Sequence, residues 1–269
     1  MTAGGGGNDD VVEVVLEVLS SVLRYDVRDD AWFKCTPLGT LRFDFACTVC
    51  GNKIYIAGGQ CRLGSARGIS SAEVYDSVLD TWEALPNMST LRYKCVGVTW
   101  QGRVHVVGGF AGRGDSWDTK ERSSAEVYDP DGAKWEVIVG MWQLDVPPNQ
   151  IVGVGGKLFS SGDCLNSWKG HIEAYDAELN IWKVVEGSSN MSFPISTPTN
   201  ERRLYLTMAP IWTDIFFLGG YRIPEGEVLK IKSVVHVFKT TSNGGKWWSF
   251  EPIEEVEEKE LCSHGCVAG

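Results

Sequence analysis

"SSAEVYDSVLDTW" (Ser70–Trp82) and "SSAEVYDPDGAKW" (Ser123–Trp135) share seven consecutive letters set 53 positions apart, and each closes on a Trp seven residues after its Tyr. A phrase repeated at that distance marks a repeat architecture, in which every copy solves the same packing problem. The same Tyr-Asp and Trp spacing recurs at Tyr25-Asp26 with Trp32 and at Tyr175-Asp176 with Trp182, beside Tyr75-Asp76 with Trp82 and Tyr128-Asp129 with Trp135. A worn fifth copy, "VVHVFKTTSNGGKW", has Phe238 for Tyr and brings Trp247 two places late. Successive Trps stand 50, 53, 47 and 65 residues apart.

A second mark falls between the Trps. "GNKIYIAGG" carries Gly58-Gly59, "QGRVHVVGG" carries Gly108-Gly109, "GGKLFSSGD" carries a worn form, and "TDIFFLGG" carries Gly219-Gly220. Each is a short apolar strand expected to end at its Gly pair, where a missing side chain lets the backbone bend or pack closely. "FACTV", "KCVGVTW" and "QIVGV" precede three of them as further strands. Each period therefore holds four short β-rich runs parted by turn residues, which makes one small antiparallel sheet. Such a sheet leaves both faces bare until neighbours stacked around a ring cover them. In "EVYD" alternation sends Val74 to one face and Glu73 and Tyr75 to the other. Asp76 falls where the strand turns and accepts turn N–H groups, while Trp82 fills the space between sheets. The reading is all-β: a β-propeller of four clear repeats.

The ends of the repeat are uneven. "SVLRYDV" and "AWFKC" supply only the last two strands of a repeat, and "CSHGCVAG" resembles a first strand with nothing after it. Closure of the ring by that C-terminal strand would join it to the N-terminal half, giving one composite blade and no open edge. The chain divides into a Gly- and Val-rich segment, residues 1–21, read as disordered or as a blade strand, and a propeller over residues 22–269.

Composition narrows the function classes. Of 269 residues 43% are apolar and 22% charged, with 11 Trp and 31 Gly, which suits a turn-rich β protein. A net charge of −10 argues against a nucleic-acid binder, which needs a basic footprint. No apolar run approaches the roughly 18 residues of a membrane span, and "MTAGGGGNDD" lacks the basic start of a secretory signal. The expectation is a cytoplasmic or nuclear protein that binds neither membrane nor nucleic acid. Eight cysteines are too few for a disulfide scaffold. Cys47 and Cys50 sit three apart on a strand and so face opposite ways, and Cys262, His264 and Cys266 have no second ligand pair. Buried structural thiols are expected, with no metal and no cofactor. His105 and His236 read as packed or solvated strand residues, and no nucleophile, phosphate-loop or dinucleotide motif is present. The chain reads as a non-enzyme.

Gly-Gly after an apolar strand, then "AEVYD", five residues and Trp, is similar to the kelch repeat. "FACTVCGNKIYIAGG", "SAEVYDSVLDTWEALPNM" and "YKCVGVTWQGRVHVVGG" most resemble plant F-box/kelch-repeat proteins, from about Val22 to the C-terminus. The resemblance implies a kelch-type propeller that acts as a protein-interaction module. It would be the substrate-recognition part of an F-box-type ubiquitin ligase adaptor, gripping through one loop face a protein to be ubiquitinated. A Skp1-like partner is implied only for a longer form, because the 21 residues ahead of Val22 are too few for an F-box. Alternatives are a structural kelch protein that binds cytoskeleton and a kelch-type copper oxidase, although two His and a Cys-linked Tyr cannot be assembled here.

On such a loop face the arginines after the Gly-Gly marks, Arg62, Arg113 and Arg222, stand out, and the "LR" pairs add Arg42 and Arg92. Guanidinium forks suit a carboxylate-bearing or phosphorylated partner segment. Trp117 and Trp168 lie in loops after second strands and would anchor a partner or cap their own blades. The insertion Gly140–Gln150 lies beside the same face. The acidic run "EPIEEVEEKE" (Glu251–Glu260) reads as a solvated loop leading to the closing strand.

Overall fold

The computed structural model describes residues 17–112, 123–144, 146–164, 171–188, 202–225, 228–240 and 245–255. Among them every regular element is a strand except for single turns, and the strands follow the repeat. The N-terminal half-repeat gives β1 (Val22–Asp26) and β2 (Ala31–Cys35), a two-stranded sheet. The first full blade is β3 (Ala46–Cys50), β4 (Lys53–Ala57), β5 (Ala72–Asp76) and β6 (Thr81–Leu85). The second is β7 (Val96–Trp100), β8 (Arg103–Val107), β9 (Ala125–Asp129) and β10 (Lys134–Ile138). The third is β11 (Ile151–Val154), β12 (Lys157–Ser160), β13 (Glu173–Asp176) and β14 (Ile181–Val184). Each is an antiparallel meander in chain order, and β3, β7 and β11 are successive neighbours on the inside. This is a four-bladed β-propeller arrangement with an additional half-blade.

The fourth blade departs from its siblings. It is built from β15 (Arg202–Ile211), β16 (Asp214–Glu225), β17 (Val228–Lys239) and β18 (Lys246–Ser249), with β19 (Ile253–Glu255) also paired to β17. The β16–β17 ladder runs unbroken from Asp214↔Lys239 to Glu225↔Val228. Gly219 and Gly220 therefore lie inside a strand and do not end one, unlike Gly58, Gly59, Gly108 and Gly109, which all have positive φ. The reason for a glycine at 220 is an aromatic ring: a Cβ there would meet the ring of Tyr205. The acidic run is likewise no simple solvated loop, since its Ile253–Glu255 portion is paired as a strand. Residues 256–269, including the expected closing strand with Cys262, His264 and Cys266, lie outside the described residues, as do residues 1–16.

The repeated letters hold the blades together. Asp76 Oδ1 accepts the N–H groups of Val78 (2.9 Å) and Leu79 (3.2 Å), and Asp176 Oδ1 accepts those of Glu178 and Leu179. Backbone donors at Leu79 and Val78 hold the Asp76 carboxyl below its usual range. Tyr75 rests against Trp82 with ring centres 4.9 Å apart, and Tyr128–Trp135 and Tyr175–Trp182 repeat the pair. Each Trp then reaches out of its own blade. The indole N–H of Trp82 donates to Thr36 O, Trp135 to Pro86 O, Trp182 to Met141 O and Trp247 to Ser188 O, at 2.6–3.0 Å. Every acceptor lies past the last strand of the preceding sheet, so the Trp is an inter-blade tie as well as filler. Both faces of β5 are covered: Glu73, Val74 and Tyr75 are all buried, so strict in-and-out alternation gives way to stacking on two sides. Apolar clusters fill the gaps between successive blades, around Val106 and Ala46, then Val107, Met141 and Leu158, then Phe217, Met208 and Phe238.

The inner strands touch most closely at Gly97, where an added Cβ would meet the Cys47 backbone at 2.7 Å. Backbone cannot move aside as a flexible side chain can. Gly97→Ala is expected to lower unfolding free energy by about 1–3 kcal/mol in a urea titration; an unchanged midpoint would show that β3 and β7 are free to separate.

Candidate functional site

In each meander the second-to-third connection and the link to the next blade open at the same end, because strands alternate in direction. That end is the loop face. Its floor is built from short bridges that continue the inner ladders: Phe43↔Gln60, Tyr93↔Phe110 and Pro148↔Asp163. The β4–β5 loop is stitched to the second blade as well. Gly59 N donates to Arg92 O (2.7 Å), Arg92 N to Ile69 O (3.1 Å) and Gly68 N to Ala111 O (2.9 Å). Gly68 has to be glycine, since a Cβ would lie 2.7 Å from the Arg92 backbone. The floor is thus fixed by main-chain bonds that do not depend on a partner.

Under this floor lie two residues expected to be on it. Arg42 and Arg92 are not available to a partner: their side chains are 0% and 1% exposed. Arg42 Nη1 donates to Gly58 O and Ser71 O, and Nη2 donates to Ser71 Oγ and to Glu73 Oε1 at 2.5 Å. Arg92 repeats the pattern with Gly108 O, Ser124 O, Ser124 Oγ and Glu126 Oε1. Each carboxylate also caps the incoming loop. Glu73 accepts Gly39 N and Thr40 N, and Glu126 accepts Ser89 N, Ser89 Oγ and Thr90 N. A guanidinium is removed from water only when such acceptors replace it. The Arg, the second Ser of "SSAE" and the Glu are one structural device, and the repeated Ser and Glu of the opening phrase belong to it.

The device wears away along the chain. In the fourth blade His236 takes the Glu73 place, buried at 0% exposure, with Nδ1 2.7 Å from Ser249 Oγ and Nε2 3.5 Å from Tyr221 OH. Burial pushes its pKa down to about 4. His105 is also buried, its Nδ1 3.2 Å from Arg103 O, and burial takes it down to about 4. Of the thiols, Cys95 is buried and pushed up to about 11, whereas Cys47 reaches the surface and Cys50 is half-buried. On β3 the Cys47 side chain alternates away from the buried Ala46 and Thr48, yet the atoms packed around it push its thiol up to about 11 as well.

What the face offers to solvent is narrower than the sequence reading. Arg62 is exposed at the tip of the β4–β5 loop, beside exposed Leu63 and Arg67. Arg67 was not in the sequence-based set, although "RLGSAR" places two arginines in one loop. Arg222 is half-buried in β16, opposite Ile231 in the ladder. Arg113, Trp117 and Trp168 lie outside the described residues. The insertion Gly140–Gln150 turns inward: Trp142 is 1% exposed, and its N–H donates to Val146 O. Its last residue, Gln150, clamps the next blade by bonding both N and O of Met208 at 2.6 Å. Beside the floor, Asp44 and exposed Lys94 both have positive φ and are joined by Lys94 N to Asp44 O (2.7 Å). Burial raises the Asp44 carboxyl, while Lys94 pulls it the other way.

Comparison with known proteins agrees with this geometry. The Kelch motif family matches residues 41–89 and 91–141, the two blades that carry the complete Arg–Ser–Glu device. An F-box/kelch-repeat protein of Arabidopsis thaliana is 37% identical over 205 residues, covering 76% of this chain and 51% of that protein. A second from the same plant is 29% identical over 192 residues, 69% of this chain and 47% of that protein. Human Kelch-like protein 23 is 26% identical over 196 residues, 70% of this chain and 33% of that protein. The chain spans about half the length of the plant relatives it matches. By repeat, by blade and by relatives, this chain carries kelch repeats and is similar over about three quarters of its length to a plant F-box/kelch-repeat protein.

Proposed function

We propose that the chain is a protein-interaction module that binds a partner through its loop face, in the cytoplasm or nucleus, and that it serves as the substrate-recognition part of an F-box/kelch ubiquitin ligase adaptor. The observation that carries this reading is the contrast between a floor fixed by main-chain bonds and an exposed tip bearing Arg62, Leu63 and Arg67. Binding groups held on a rigid scaffold lose little freedom when a partner arrives. The two guanidinium groups favour a partner segment that carries carboxylate or phosphate. The ligase role draws on the plant F-box/kelch-repeat relatives, and contact with a Skp1-like protein would belong to a longer form that carries the F-box. Catalysis would then reside in the other ligase subunits.

The test is affinity capture with the tagged chain. A protein retained by the wild type and reduced at least about tenfold by Arg62→Glu with Arg67→Glu is expected, with thermal stability within roughly 0.5 kcal/mol of wild type because both side chains are exposed. Equal retention by the variant would move the binding surface elsewhere.

A further inference from the structure

The fourth blade carries the longest ladder among the described residues. Its β16–β17 ladder continues to Glu225↔Val228, whereas β4 of the first blade ends at Ala57 and a loop leads to β5, so a two-stranded ribbon extends on the loop-face side. The outer edge of that ribbon is β17, and the chain's own acidic segment covers part of it. β19 pairs Ile231↔Glu255, Lys232↔Glu254 and Ser233↔Ile253. Lys230 Nζ lies 3.1 Å from Glu254 Oε2, and Ser233 Oγ donates to Glu255 Oε1 at 2.7 Å.

The cover is thin. It is three residues long, Ile253 is 66% exposed, and the Lys230 and Glu254 side chains are 35% and 56% exposed. It is also separated from the rest of the outer strand. Trp247 ties β18 to the third blade, and Phe250 N still donates to Val235 O. Glu251 and Pro252 then make no ladder pair, and proline has no N–H to give. β19 can therefore leave without taking β18 with it, as a small unit of local opening.

We infer that the β17 edge at Ile231–Ser233 is a docking strand for an extended acidic segment of a partner protein, and that Ile253–Glu255 is an internal competitor that occupies it in the free chain. The chemistry of the occupant is read from the one already seated: backbone pairing to an exposed edge, with the Glu254 carboxylate on Lys230 and Glu254 itself opposite Lys232 in the ladder. The run Glu251–Glu260 has six Glu and one Lys, which is the composition such a lysine-lined edge selects. This inference rests on the loop face being the partner surface and names the partner's chemistry there.

The probe is a fluorescein-labelled peptide, EPIEEVEEKE, titrated against the whole chain by anisotropy. Tethering gives the internal strand a high effective concentration, so the wild type is expected to bind the peptide weakly. Glu254→Lys with Glu255→Lys should strip the edge and tighten binding at least about tenfold, and Lys230→Glu with Lys232→Glu should abolish it. A peptide with Lys at each Glu should not bind. Equal binding to all three chains, binding to none, or equal binding of the charge-inverted peptide would each overturn the inference. Amide exchange on the unmutated chain gives a second readout. Ile231 and Ser233 share with Val237 the side of β17 that faces the outer strand, so their amides should exchange at least about tenfold faster than that of Val237 if β19 opens alone. Equal rates would sink it. A partner captured through Arg62 and Arg67 but indifferent to Lys230→Glu and Lys232→Glu would leave the loop-face reading standing and remove only the edge.

Discussion

Arg92→Ala is expected to destabilise the propeller by about 3–5 kcal/mol, a large part of the total stability of an ordinary domain. The loss comes from what remains behind. Glu126 is 0% exposed, and without Arg92 its charge is buried with, among the described residues, the Ser89 and Thr90 donors left to hold it. Ser124 Oγ and the carbonyls of Gly108 and Ser124 lose the same donor together. Glu126→Gln placed on top of Arg92→Ala removes the stranded charge, so the double variant should recover part of the loss. Denaturant unfolding of the two single variants and the double variant forms a cycle whose coupling should exceed about 1 kcal/mol. Simple additivity would mean that the two side chains do not act as a pair. Arg62→Ala, on the same face but exposed, is the control and should change stability by less than about 0.5 kcal/mol.

The pairing also marks where the sequence was readable and where it was not. The Tyr–Trp spacing and the Gly-Gly marks are local signals, and they place the strands of the half-blade and of the first three blades where the structure has them. Arg42 and Glu73 are 31 positions apart, and nothing in strand periodicity tells a residue that its acceptor lies in another turn of the chain. An arginine beside a strand reads as surface because its burial depends on acceptors brought by folding. A signal was nonetheless present: "LR" and "SSAE" occur together in the first two repeats, and the fourth has His236 where the Glu would be, with no arginine set before it in an "LR" pair. β15 was missed for a different reason. "RRLYLTMAP" lacks the Cys and Gly that label the other inner strands, and the rule that Gly-Gly ends a strand hid the long ladder behind Gly219 and Gly220. Where a repeat has drifted, its marks no longer carry their usual meaning, and the ribbon lies in that drifted copy.

The second large effect is a loss of stability on mild acidification. His105 and His236 are both held at about 4, below the ordinary imidazole value of 6.5, because burial penalises the charged ring. The unfolded chain therefore takes up protons between these values while the folded chain does not. Stability is full above about pH 6.5 and falls as pH drops toward about 4, by up to roughly 3 kcal/mol for each ring. The carboxylates act elsewhere or in the opposite sense. Asp76 and Asp176 are held below the ordinary 3.8, so their contribution is lost only at lower pH. Asp44 is raised above 3.8 and gains on protonation, which offsets a small part of the fall. Urea unfolding at pH 7.5, 6.0, 5.0 and 4.5 (about the span of the window) should show a midpoint that falls steadily. His236→Gln keeps a polar group near Ser249 and Tyr221 but cannot titrate, so its curve should start lower at pH 7.5 and fall less steeply; His105→Gln should behave likewise. A wild-type midpoint that is level from pH 7.5 to 4.5 would mean that protons reach both rings in the folded state, and that the stacked blades around β8 and β17 are more open to water than their packing implies.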